Sequence, residues 1–157
     1  QSLAVLAVGA AYGSRLGAAT LGLYALEGAI GLPFFAGAKS GLFDAKLDYF
    51  LPAGSMGYVV GFILAAYVVG KLVESGWANS LFKSVLATLA GALVLYVPGL
   101  IWLGTWAATT GVVPEGQIAM QAALSWGLYP FVFGDAVKAI IAGLAVPAAG
   151  MMFSRKG

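Results

Sequence analysis

The chain has 157 residues, of which 61% are apolar and only 9% charged, with a net charge of +2 and a mean hydropathy of +0.95. A soluble domain carries about 25% charged residues, so this composition indicates an integral membrane protein whose solvent is mostly lipid. It also excludes a disordered chain, which needs low hydrophobicity and high charge, and a nucleic-acid-binding surface, because the few cations are scattered.

A helix needs about 20 apolar residues to cross the hydrocarbon core. The opening run, residues 3–12, is about half a span, and no charged segment precedes it as in a secretory signal. It reads as a helix whose start is missing. Residues 16–37 form the first full span, interrupted only by Glu27, and residues 49–70 form a second with no charge. Residues 85–110 form a third, in which Pro98 predicts a kink. Residues 118–133 contain Gly127 and Pro130 and read as a short interfacial or re-entrant helix followed by a turn, packed on protein. Residues 136–153 complete the set, with Lys138 near the start. The whole chain reads as one all-α membrane domain. Gly9, Gly13 and Gly17 lie four apart, as do Gly57, Gly61 and Ala65, a spacing that lets helices approach closely in lipid.

Alternating the spans puts Arg15, Lys71, Lys83, Arg155 and Lys156 on one side. The other side has Lys39 and Lys46, accompanied by Asp44 and Asp48. The excess of cations places the first side in the cytoplasm. The loops 33–48 and 111–134 are then external.

Cysteine and histidine are absent. That removes disulfides, thiol nucleophiles, histidine triads and the usual zinc, haem and iron–sulfur ligands, and leaves no visible nucleophile–base pair for an enzyme. No cofactor is indicated. The run Gly37-Ala38-Lys39-Ser40 lacks the spacing of a nucleotide-binding P-loop.

An ionisable residue within a span is a functional candidate. Glu27, Asp135 and Lys138 qualify. Asp135 and Lys138 are three apart and share a helix face at the external end of the last span. They are either a snorkelling, mutually paired charge set or a polar floor for a ligand with N–H donors and an anionic group. Glu27, read as mid-span, either pairs with a polar group on a neighbouring helix or stays protonated. Aromatic residues crowd the external ends: Tyr49, Phe50, Tyr58, Trp102, Trp106, Trp126 and Tyr129. Most read as an interfacial belt, and a few as lining for an apolar cavity.

Three ordered blocks carry a family resemblance. Gly13-Ser-Arg-Leu-Gly-Ala with Leu23-Tyr-Ala-Leu-Glu-Gly-Ala-Ile-Gly-Leu-Pro-Phe-Phe-Ala-Gly is the first. Pro52-Ala-Gly-Ser-Met-Gly-Tyr-Val-Val-Gly-Phe is the second, and Leu128-Tyr-Pro-Phe-Val-Phe-Gly-Asp-Ala-Val-Lys-Ala the third. Together they resemble the BioY family, the biotin-specific S components of energy-coupling-factor vitamin transporters. Ser55-Met56 stands where that family has a Thr-Gly pair. The resemblance implies a six-helix S-component fold, here lacking most of the first helix, in a prokaryotic plasma membrane. It implies biotin as ligand near the external face, and a transmembrane coupling subunit with two ATPase subunits as partners. It carries ligand roles onto Asp135 and Lys138, with Tyr58 and the Gly57 backbone as lesser candidates for the pocket wall. Asp135 would accept from the ureido group. Lys138 would offset the carboxylate of either the ligand or Asp135. An S-type component for another vitamin, such as thiamin or riboflavin, and a ligand-free membrane assembly subunit are the alternatives.

The cation asymmetry generates a topology test. A cysteine replacing Lys46 should react with an impermeant thiol reagent in intact cells, and one replacing Lys156 should not. The reverse pattern would invert the orientation.

Overall fold

The computed structural model describes residues 1–32, 35 and 54–154, with side chains to residue 147. Its regular elements are helical: α1 (Ser2–Ala29), α2 (Met56–Glu74), α3 (Leu81–Thr110), α4 (Ala119–Gly127) and α5 (Val132–Ser154), with a 3-10 turn at Trp77–Asn79. α2 and α3 are each long and apolar enough to cross a membrane, as is α1 when its two arms are counted as one length, and α4 with α5, bent by 50° at the break between them, reaches that length as a pair.

α1 is a hairpin rather than a rod. Gly13 has φ 78° and ψ −179°, a backbone that glycine adopts without a Cβ penalty. The chain doubles back there, so that a Cβ on Gly17 would lie 3.1 Å from the Gly9 Cα. At the open end of the hairpin, the Gln1 amide donates to the Tyr24 hydroxyl at 3.2 Å. The half-span 3–12 and the run from residue 16 are thus two antiparallel arms. Gly9, Gly13 and Gly17 do not form one packing stripe: Gly9 admits the Ala66 backbone, Gly17 faces Gly9, and Gly13 makes the turn. Glu74 closes the turn by accepting the Ser14 N–H at 2.7 Å, and the Ser14 hydroxyl lies 3.0 and 2.9 Å from its two oxygens.

The span expected over residues 16–37 stops earlier. Its helix ends at Ala29, and Gly31 follows with φ 114°, a left-handed position that halts helix propagation. Glu27 therefore lies in the last turn of α1 and not at mid-span. It is half-buried, and among the described residues its carboxylate makes no hydrogen bond or ion pair. Of the expected span 49–70, residues 49–53 fall outside the described residues, as do Lys39, Asp44, Lys46, Asp48, Arg155 and Lys156.

α3 runs unbroken through Pro98. The segment 118–133 is the short helix α4 and a turn, as its glycine and proline suggest. The N–H groups of Leu128 and Tyr129 both reach the Leu124 carbonyl, those of Phe131 and Val132 reach Leu128, and α5 begins. Pro130 sits in this turn, where its missing N–H costs nothing.

Lipid gives apolar side chains no reason to leave it, so close backbone packing and interhelical hydrogen bonds hold the bundle. A Cβ on Gly61 would stand 2.5 Å from the Leu95 carbonyl oxygen, and one on Gly143 would stand 2.5 Å from the Val85 Cα. These contacts draw α2 and α5 onto α3. The Thr88 hydroxyl donates across to the Ala139 carbonyl at 2.7 Å. Val5, Phe62, Ala65, Ala66 and Leu95 fill the centre. On the outer side of α3, Leu93, Val97 and Ile101 are 71%, 60% and 58% exposed at four-residue spacing, a stripe that requires lipid rather than water. Arg15, Lys71, Glu74 and Lys83 collect at the end holding the Gly13 turn.

Gly61→Ala should cost about 1–3 kcal/mol of stability by prying α2 from α3. Gly22→Ala, with no atom of the described residues within 4 Å of the new methyl, should be neutral or stabilising. Thermal unfolding in detergent checks this, and equal shifts for the two variants would contradict the contact.

Candidate ligand-binding site

At the end of the bundle opposite the Gly13 turn lies a cavity of about 470 Å³, within the range of small-molecule sites. The α1 hairpin brings Ser2 and Tyr24 to it, α2 brings Tyr58 and Phe62, α3 brings Tyr96, and the α4–α5 corner brings Trp126, Phe131, Asp135 and Lys138. Its wall is rich in aromatic side chains, and its charged groups, Asp135 and Lys138, stand together.

Asp135 lies in the first turn of α5, where an anion suits the helix dipole. It is 8% exposed. Its Oδ1 accepts from the Ser2 hydroxyl at 2.7 Å and from the Lys138 ammonium at 3.0 Å, and its Oδ2 accepts from the Tyr96 hydroxyl at 2.6 Å. Lys138 has a side chain 43% exposed, so its remaining N–H groups are open to the cavity and to solvent. Tyr96 stands edge-on to Tyr58, with ring centroids 6.2 Å apart at 86°. Tyr58 in turn donates to the Gly127 carbonyl at 3.0 Å, which ties α2 to the α4–α5 corner. Chemically the site offers a neutral acceptor–donor pair at the mouth of an aromatic slot. Among the described residues no three acidic side chains cluster as a metal site would require.

A family model described as the BioY family matches residues 1–155. The chain belongs to the BioY family. Relatives include the biotin transporter BioY of Rhodobacter capsulatus, 36% identical over 148 residues, covering 92% of this chain and 73% of the relative. The biotin transporter BioY of Thermotoga maritima is 33% identical over 133 residues, covering 84% and 68%. Among solved structures, the S component for biotin of an ECF-type ABC transporter superposes with a TM-score of 0.71 at 22% identity, over 96% of this chain and 74% of that one. The S-component fold implied by the sequence blocks is the fold observed.

In this BioY family member, Asp135, Lys138 and Tyr58 all line the cavity. Gly57 does not. It lies in the α2–α3 contact, where a Cβ would strike the Pro98 carbonyl and the Trp102 side chain, and so it supports the neighbouring Tyr58 instead of forming wall. Glu27 is not among the lining residues either. Of the external aromatics, Tyr58 and Trp126 face the cavity, while Trp102 packs on Gly57, Trp106 stands beside Gly54, and Tyr129 is exposed. Tyr49 and Phe50 are outside the described residues. Sequence reading missed Ser2, Tyr24 and Tyr96. Tyr96 had a signal: a phenol hydroxyl inside a 30-residue apolar helix must find a partner. Ser2 had none, because its partner is 133 residues away.

Replacing Tyr58 by Phe deletes one neutral hydrogen bond and should cost about 1 kcal/mol. Asp135→Leu leaves the buried Ser2 and Tyr96 hydroxyls without their acceptor and removes the Lys138 ion pair, and should cost at least about twice as much. Comparing unfolding midpoints in detergent tests the order, and a reversed order would deny Asp135 its structural role.

Proposed function

We propose that this protein captures biotin from the outer side of a prokaryotic plasma membrane, as the substrate-binding subunit of a vitamin uptake system. Its family and named relatives are transporters and not enzymes. The observation that carries the proposal is the Asp135–Lys138 pair set at one end of an aromatic cavity.

Biotin has an apolar fused bicycle, a ureido group and a carboxylate tail. The ureido edge shows an N–H donor beside a carbonyl acceptor. Asp135 and Lys138, 3.0 Å apart, present the complementary acceptor and donor. Lys138 serves the ureido oxygen, and the bicycle lies among Tyr24, Tyr58, Phe62 and Trp126. In an aromatic enclosure these hydrogen bonds compete with less water than at a surface and select orientation. The cavity is at the end away from Arg15, Lys71 and Lys83, which the positive-inside rule assigns to the cytoplasm.

The chain has no nucleotide-binding P-loop, so ATP-driven uptake draws its energy from other subunits. A transmembrane coupling protein with two ATPase subunits is the proposed assembly.

Biotin titration of purified protein tests the site. Asp135→Ala and Lys138→Ala should each weaken binding by at least about 2 kcal/mol, or roughly thirtyfold. Asp135→Asn should be milder than Asp135→Ala, since the amide oxygen still accepts. Lys138→Arg should still impair binding, because a planar guanidinium does not replace a compact ammonium. Wild-type affinity in both well-folded alanine variants would remove the site from this pair.

A further inference from the structure

Building on the biotin reading of the cavity, we infer that Ser2 and Tyr96 are specificity-determining positioning residues: by filling acceptor positions on Asp135, they make the site select a neutral ureido group against a cationic guanidinium of the same outline. Each carboxylate oxygen accepts about two hydrogen bonds. Oδ1 of Asp135 already takes Ser2 at 2.7 Å and Lys138 at 3.0 Å, and Oδ2 takes Tyr96 at 2.6 Å. Among the described residues this leaves a single acceptor position, on Oδ2. Asp135 is buried, so exchange with water does not free another.

The two head groups differ in what one edge presents. A cyclic urea shows N–H beside C=O, which the last Oδ2 position and a free Lys138 N–H match one to one. A cyclic guanidinium shows two parallel N–H donors and a positive charge. Its favoured partner is a carboxylate with a free position on each oxygen, the bidentate fork. Ser2 closes that fork on Oδ1. Lys138 sets donor against donor and cation against cation, and like charges brought to such a contact repel.

Both positioning residues are themselves held. Ser2 is buried at the start of α1, and the arm it begins turns back at Gly13 under Glu74. Tyr96 is buried in α3, with its ring against Tyr58.

The probe is 2-iminobiotin, which replaces the ureido oxygen with an imino group that is protonated at neutral pH. Affinities for biotin and for this analogue are titrated at one neutral pH in wild type, Ser2→Ala and Tyr96→Phe, with monodispersity as the folding check. Wild type should prefer biotin by about a hundredfold or more. Ser2→Ala leaves one free position on each oxygen and should narrow that preference by about tenfold. Tyr96→Phe frees Oδ2 only and should narrow it less. General loss of packing would weaken both ligands in proportion and leave the ratio alone. An unchanged ratio in both variants therefore overturns the inference, as does a wild type with no preference. A wild type that binds biotin in neither form overturns the proposed function itself.

Discussion

A carboxylate carried into an apolar helix bundle has to be met by donors, because hydrocarbon offers it nothing and an unpaired charge there costs at least a few kcal/mol. Asp135 is met by Ser2 from α1, Tyr96 from α3 and Lys138 from its own helix. Those hydrogen bonds to a charged group are among the stronger contacts available to the chain. They determine where the first turn of α1 sits and which face of α3 looks inward. The aromatic wall follows from that placement, since turning Tyr96 to Asp135 sets its ring edge against Tyr58 and leaves a gap between α1, α3 and the α4–α5 corner.

The opposite end of the bundle is fastened by a second carboxylate used differently. Glu74 is exposed, and it accepts both the N–H and the hydroxyl of Ser14. It thereby satisfies a backbone donor that the second arm of α1 would otherwise leave open at its start. The short arm of α1 is thus pinned by Ser2 at the cavity and by the Gly13 turn at the far end. Between the two ends, glycines and Thr88 bring backbones together where side-chain burial alone gives little drive.

Sequence reading succeeded where the physical signal was local. Mean hydropathy settled the membrane class, apolar run length located α2 and α3, and Gly127 with Pro130 marked the α4–α5 corner. The i, i+3 spacing put Asp135 and Lys138 on one face. It faltered where the answer depended on contacts distant in the chain. A four-residue glycine spacing reads as a packing stripe, yet Gly13 takes a left-handed φ that spacing does not encode, so Gly9 and Gly17 end up facing each other. Glu27 looked central because apolar composition continued to residue 37, whereas the helix stops at Ala29. Gly57 looked like pocket wall from the block it belongs to, but which face of α2 meets α3 is a tertiary fact. Ser2 and Tyr96 became legible only when α1 and α3 were seen beside α5.

The polar end of the cavity is nearly self-sufficient, and this bears on how such a site lives in lipid. Asp135 and Lys138 neutralise each other, the Ser2 and Tyr96 hydroxyls are engaged, and Tyr58 is committed to Gly127. On the outer part of α3, the hydroxyls of Thr105, Thr109 and Thr110 close onto carbonyls of their own helix, so they do not demand water either. A neutral ligand that adds one donor to Oδ2 and one acceptor to Lys138 completes the set without breaking any bond already made. A ligand that needed a position on each oxygen of Asp135 would have to displace Ser2 or Lys138 first, and the cost of stranding the buried Ser2 hydroxyl or of breaking the ion pair would count against its affinity. The same hydrogen bonds that let a carboxylate reside in the bundle therefore restrict what the cavity can hold.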